Sequence, residues 1–419
     1  MEQTQQQVAL PSSMRYSMSN VKAVSAETTL RQFASSNGSS FSPTVNEIRI
    51  PVSGHDGFLD VSKSYIYFVV KNLNATLGET LTFDSDGLCW IESIRVESQG
   101  VLLERLDQAA LWNNLRSRWS KGAIDSMARN SKAGGYQTFH SDKDGEGVAH
   151  ASSLSVCAQL PLGFMNPAGE KALPAGTQFE IVIRCNSTPA SCFKWGAVDK
   201  YAFTIETPRF YCPVYRIENR EVMSEYAQVL STRGISWVGD CAKTYISSLP
   251  TGAGTTSLQI NDRSKSLKGF VSAKRLIADI TDRAKNSQSE TNISGVTQLS
   301  YVIEGKHYPQ DTIQCSITDY CRLYDQCEKA MSLQGKPNKP AVKAADFKSG
   351  GTQGLMGVDL KKFDDDRLTD TGLNTTGGAP NVLEVTTDAN HNADSQVTTY
   401  AIAECTWTLM PNGVITASI

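Results

Sequence analysis

The sequence predicts an all-β protein, two consecutive antiparallel sandwiches or barrels with short helices in the loops between strands. Three observations predict it: short apolar runs of period two recur along the chain, Gly and Pro punctuate them, and the second half repeats the order of the first. At 419 residues and 45.6 kDa the chain exceeds the ~250–300 residues at which one hydrophobic core stops growing, so two domains are expected.

Residues 1–40 are rich in Gln, Ser and Thr and poor in large apolar side chains. They read as a flexible N-terminal arm that orders in an assembly, with one short helix in "AETTLRQFA", Ala26 to Ala34. From Phe41 the pattern is β. "NEIRIPV" sets Ile48 and Ile50 against Glu47 and Arg49, a half-buried strand, while "KSYIYFVVKN" is apolar on both faces, as in a central strand between two layers. Strands follow at Ser93–Ser98, Ser155–Gly163, Gln178–Arg184, Tyr201–Thr207 and Cys212–Ile217. "NREVMSEYAQVLS" then places Val222, Tyr226, Val229 and Leu230 on one helical face, a packed connector. The runs "SLQIND", "SLKGFVSAKRLIADI", "QLSYVIEG", "GLMGVDLKKF", "NVLEVTTD" and "TTYAIAECTWTLMPNGVITASI" make the second half β as well. The expected division is an arm at 1–40, a first domain at 41–218, a helical connector at 219–232 and a second domain at 233–419.

The halves correspond unit by unit. "ESQGVLLE" and "VIEGKHYP" are strands turning at Gly100 and Gly305, and each is followed by a helix opening at an aspartate, Asp107 or Asp319. Leu111, Leu115 and Trp119 share a face of the first helix; Tyr320, Leu323, Tyr324, Cys327 and Met331 share one on the second. A repeat of roughly two hundred residues is too long for a solenoid and suits a duplicated domain.

Composition narrows the function. With 40 Lys+Arg against 43 Asp+Glu, the net charge of -3 gives no basic field for phosphates, so direct, sequence-specific nucleic-acid binding is not expected. The apolar run "YIYFVV" is far shorter than the ~20 residues of a membrane span, and Met1–Leu10 lacks the regions of a signal peptide. Ten cysteines without a CxxC read as reduced, with Cys157, Cys185, Cys212 and Cys405 as small core residues.

No motif supplies chemistry. "GFMNPAGEKA" has its glycines, Gly163 and Gly169, one residue too far apart for a phosphate loop, and Glu170 precedes Lys171. "HSDKDGEG" puts His140 where a calcium loop needs its first aspartate, and "FDDDR" (Phe363 to Arg367) reads as an exposed turn. His55, His140, His150, His307 and His391 form no HxH or HExxH pair and read as surface residues. Trp90, Trp112, Trp119, Trp195, Trp237 and Trp407 are read as core rather than as a sugar-binding groove. Catalytic, metal and cofactor residues are therefore assigned nowhere.

The chain from Phe41 to Ile419 resembles the double jelly-roll major capsid proteins of icosahedral, tailless DNA viruses. "SYIYFVV", "WIESIRVESQGVLLERLD" and the ordered C-terminal series "MGVDLKKF", "DTGLNTTGGAPNVLEVTTD" and "TTYAIAECTWTLMPNGVI" carry the likeness to virophages and polinton-like viruses. The resemblance implies two eight-stranded antiparallel jelly rolls and a structural, non-enzymatic role. It also implies homotrimers with a pseudo-hexagonal outline, residence in the virion after assembly in the host cytoplasm or nucleus, and no cofactor. Neighbouring capsomers, penton and minor capsid proteins, and an inner membrane or membrane protein are the implied partners. The reading from another class is a two-sandwich carbohydrate-binding or glycan-processing protein, which requires paired carboxylates in a groove lined by Trp.

Overall fold

The computed structural model describes residues 25–418 apart from 56, 74–80, 85–86, 121–146, 189–192, 195–202, 283–284, 286–287, 289, 332–341 and 363–370. The first unit comprises β1 (Ala26–Ala34), β2 (Ser40–Phe41), β3 (Glu47–Ser53), β4 (Phe58–Leu59), β5 (Tyr65–Asn72), β6 (Leu81–Phe83), β7 (Ile91–Ser98), β8 (Val101–Asp107), α1 (Ala109–Ser120), β9 (Gly147–Val148), β10 (Ser153–Ala158), β11 (Gln178–Cys185), β12 (Phe193–Lys194) and β13 (Phe203–Ile217). After α2 (Arg220–Arg233) the second unit comprises β14 (Ile235–Leu249), β15 (Gly254–Ile260), β16 (Leu267–Leu276), α3 (Ile277–Ile280), β17 (Val296–Ile303), β18 (Lys306–Gln314), α4 (Cys321–Met331), α5 (Ala344–Phe347), β19 (Met356–Asp359), β20 (Asn381–Thr387), β21 (Ser395–Leu409) and β22 (Ile415–Ser418).

Each unit stacks two antiparallel sheets. In the first unit they run β1-β13-β5-β10 and β3-β11-β7-β8; in the second, β14-β21-β16-β19 and β15-β20-β17-β18. Ranked by chain position, the eight strands of each unit occupy the same places in the same sheets, so the duplication read from the sequence is a duplication of topology. Both are jelly rolls, joined into one hydrophobic core that runs through the whole molecule.

Local sequence explains the shared hairpins. Gln99 and Gly100 have φ of 48° and 83°, and Glu304 and Gly305 have 49° and 78°, so both two-residue turns have positive φ at each central position. That is the hairpin turn whose twist matches the flanking strands, and it favours glycine at the second place.

Several expectations are corrected. Ala26–Ala34 is a strand, not a helix: its whole length pairs with Ile217–Arg209 of β13. Residues 26–40, read as part of the arm, therefore belong to the first sandwich; residues 1–24 lie outside the described residues. Tyr201–Thr207 and Cys212–Ile217 were expected as separate strands, yet β13 runs unbroken from 203 to 217 through a bulge between Glu206 and Arg209. β5 is interior to its sheet but not covered on both sides, since Ile66, Phe68 and Val70 are buried while Tyr65, Tyr67 and Val69 are half-buried. β14 occupies Ile235–Leu249, a stretch for which the sequence reading gives no strand. The α2 connector is capped by the Asn219 side chain, which accepts from the Glu221 and Val222 N–H groups, but it buries none of its residues.

The cysteines also differ from expectation. Cys241 and Cys405 form a disulfide between β14 and β21, a pairing 164 residues apart that only the strand register brings together. Cys157 is exposed rather than buried, because it points outward from the edge strand β10. Cys185 and Cys212 are buried as expected.

Candidate assembly surfaces

The features that position surfaces for assembly begin at the seam between the two sandwiches. Along β8 the pairing with β7 shifts, Val96 opposing Glu104 while Glu97 opposes Leu102, which leaves Leu103 as a bulged residue. A bulge re-aims side chains. Here Leu103 and Glu104 are both buried although they are consecutive.

The Glu104 carboxylate accepts the backbone N–H of Gly163 at 2.9 Å and of Phe164 at 2.7 Å. Burial outweighs these two bonds, and the carboxyl is pushed up to about 7. The same bulge leaves the Leu103 carbonyl free to accept the Trp407 indole N–H at 3.1 Å. Phe164 then meets Trp407 and Trp237 of the second unit edge-on, with ring centroids 5.3 and 5.9 Å apart.

Two glycines let the backbones close. A Cβ on Gly163 would lie 2.4 Å from the Asp240 carbonyl oxygen, and one on Gly239 would lie 2.7 Å from the Gly163 oxygen. Neither position has room for a side chain. The stretch that glanced at a phosphate loop is thus a clamp: its Gly163 and Phe164 N–H groups are already taken by Glu104.

The β8–α1 junction extends the seam. Thr244 Oγ1 donates to the Asp107 carbonyl at 2.8 Å, the Tyr400 hydroxyl donates to the Gln108 carbonyl at 2.9 Å, and Arg275 Nη2 donates to Gln108 Oε1 at 3.2 Å. Further along α1, Trp112 packs on Tyr400 with centroids at 4.9 Å, and Trp119 packs on Tyr324 at 5.2 Å and Phe347 at 5.5 Å. Alongside, Lys268 reaches Asp240 at 2.6 Å and Glu404 at 3.2 Å in a nearly buried ion triad. A buried ammonium between two carboxylates tolerates little displacement, because separating the partners leaves charge uncompensated.

The outward faces of the corresponding sheets carry different chemistry. On β3-β11-β7, Arg49 bridges Glu47 at 2.7 Å and Glu180 at 2.9 Å, Arg95 bridges Glu97 at 3.4 Å, and Arg184 bridges Glu92 at 3.4 Å. The matching face of the second unit is largely neutral, with Thr255 and Thr386 hydroxyls 3.0 Å apart across β15 and β20. Charges and Pro51 on the edge strand β3, and Lys306, Pro309 and Asp311 on the edge strand β18, discourage indiscriminate strand pairing.

Trp90, Trp112, Trp119, Trp237 and Trp407 are all buried, so the aromatics that the glycan reading needs in an open groove are in the core and the seam. Trp195, His140 and the Phe363–Arg367 turn lie outside the described residues, as does the calcium-like loop up to residue 146. His391, expected at the surface, is buried. Burial, with the Lys274 charge adding to it, lowers its pKa. His55 is exposed and bonds Gln178, and His307 bonds Ser300 at 2.9 Å. The seam itself, with Glu104 at its centre, is not part of the sequence reading; β8 also carries Arg105 and Asp107, so nothing in its sequence singles out Glu104 as the inward-facing charge.

No protein-family model and no curated protein matches the sequence. Solved structures do match along nearly the full length. A PBCV-1 virus capsid model aligns with a TM-score of 0.65 at 10% identity, covering 95% of this chain and 98% of that one. The Faustovirus major capsid protein aligns with a TM-score of 0.64 at 7% identity, over 96% and 92% of the two chains. The mavirus major capsid protein aligns with a TM-score of 0.52 at 11% identity, over 100% and 96%. Identities this low establish the fold rather than the role, and the strand order described above is that fold: the chain is a double jelly roll of the kind found in these viral major capsid proteins.

Proposed function

We propose that the chain is the major capsid protein of an icosahedral DNA virus, a structural subunit whose copies form pseudo-hexagonal homotrimeric capsomers. The observation that carries this reading is the fusion of two topologically equivalent jelly rolls along a buried, hydrogen-bonded seam. Such a chain has two similar outer sides, and three copies supply six, enough to fill a nearly hexagonal site with one gene product. Closed sandwiches with charged edges suit a protein made in many copies. In this reading residues 219–232 link a first roll ending at 218 to a second beginning at 233, the work is geometric rather than catalytic, and the protein resides in the virion. Its partners are further copies of itself together with penton and minor capsid proteins.

Light scattering on the purified chain tests the assembly unit. A mass three times the 45.6 kDa of the chain is expected, unchanged on tenfold dilution from micromolar concentration. A monomer at every concentration contradicts the capsomer.

A further inference from the structure

The duplication makes the two units comparable face by face, and one pair of faces does not match in burial. In the second unit the outward side of β14-β21-β16-β19 is covered. Val271, Ala273, Arg275, Thr398 and Tyr400 are buried there, beneath the β8–α1 junction of the first unit and α4 of their own. In the first unit the equivalent side, on β1-β13-β5-β10, bears Tyr65, Tyr67 and Tyr211, all only half-buried. Tyr65 and Tyr211 stack with centroids 5.2 Å apart, and Tyr67 meets Tyr211 edge-on at 6.4 Å. Leu30, on the same outward side of β1, is 57% exposed. Among the described residues, α1, the first unit's counterpart of α4, packs across the second unit and leaves these tyrosines open.

Among the described residues the complementary element is also uncovered. The β8–α1 junction is engaged in the seam, whereas its counterpart between β18 and α4 presents Ile317 at 59% exposure. Among the described residues, one surface of each matched pair is therefore covered within the chain and the other is not.

We propose that the tyrosine face of the first unit receives the β18–α4 junction, with Ile317 at its centre, from the second unit of another copy of this chain. This rests on the capsomer reading and specifies its contact. The intermolecular interface repeats the intramolecular seam, so six sandwiches follow one another around the ring with two kinds of junction, one covalently linked and one not. It is a heterologous contact, in which different patches meet, and with a threefold rotation between copies such a contact closes a ring of three rather than pairing two copies face to face. Rigid, amphipathic tyrosines with an aliphatic residue set among them are also the composition of interface cores.

Two charge insertions test it, Tyr211→Asp and Ile317→Asp, with Tyr67→Asp as a second variant on the sheet. Ile317 is 59% exposed and both tyrosines lie half-buried on the outer side of their sheet, so folding of each variant is checked by an unchanged circular-dichroism spectrum. If the wild type is a trimer, each variant is expected to run as a monomer, its association weakened roughly 100-fold or more by an unpaired charge in the contact. Mixing Tyr211→Asp with Ile317→Asp is expected to give heterodimers, because each retains the patch the other has lost. Variants that stay trimeric, or monomeric variants that fail to pair on mixing, overturn this interface while leaving the capsomer intact. A monomeric wild type overturns the capsomer reading and the interface with it.

Discussion

Replacing Trp407 by alanine is expected to lower the free energy of unfolding by about 4 kcal/mol, the middle of the range for removing a fully buried aromatic. Trp407 is completely buried, lies against Phe164 and Trp237, and holds the Leu103 carbonyl across the seam. Its loss opens a cavity at the junction of the two rolls and leaves an unmatched acceptor. Urea unfolding followed by circular dichroism reads the change as a shift in midpoint. Trp407→Phe keeps most of the apolar surface and loses the indole N–H, so it should cost about 1 kcal/mol for the bond plus a smaller packing term. If Trp407→Ala unfolds at the wild-type midpoint, the seam does not couple the rolls.

Removal of Glu104 should cost nearly as much, and its effect should depend on pH. Glu104→Ala leaves the Gly163 and Phe164 N–H groups buried without their acceptor, an expected loss of about 3 kcal/mol. The carboxyl is raised from its ordinary 4.5 to about 7, so the folded chain binds its proton more tightly than the unfolded chain does. The group's contribution is then fully present below pH 4.5, falls as the pH rises, and is gone above about 7. The span of some 2.5 units corresponds to ~3 kcal/mol at 1.36 kcal/mol per unit. Asp60 acts in the opposite sense: Lys63, Ser62 and Tyr215 bond its carboxylate and, against burial, lower its pKa, so its stabilisation is lost only at more acid pH. Subtracting the unfolding profile of Glu104→Gln, measured from pH 5 to 8, from that of the wild type isolates the term. A difference that falls with rising pH is expected; a flat difference places Glu104 outside the seam's energetics.

The parts of the fold legible in the sequence are those fixed by local physics. The hairpins at Gly100 and Gly305 announce themselves because their turns need positive φ. β3, β7, β11 and β20 keep a clear alternation because one of their faces meets solvent or half-exposed charge. Ala26–Ala34 misled for the converse reason: Ala, Glu, Leu, Gln and Arg favour helix, and the pairing with β13 overrides that weak preference.

β14 was hidden by the seam. "ISWVGDCAKTYISSL" carries Gly239 where Gly163 crosses it and Asp240 where Lys268 reaches it, so its polar residues satisfy contacts with elements far away in the chain. Glu104 was illegible likewise, since its inward aim depends on a bulge at Leu103 and its partners lie about sixty residues on. The duplication was readable from the order of motifs, but not which of two equivalent faces stays uncovered. That difference appears only when α1 is seen to cross to the other roll.

In the proposed capsomer one chain supplies two of six similar sides. Negative-stain images of the purified assembly, averaged along its symmetry axis, test it most directly. A hexagonal outline is expected, with six densities of similar size, alternating in detail and related by threefold symmetry. Three well-separated bilobed densities, or particles without threefold symmetry, would contradict it.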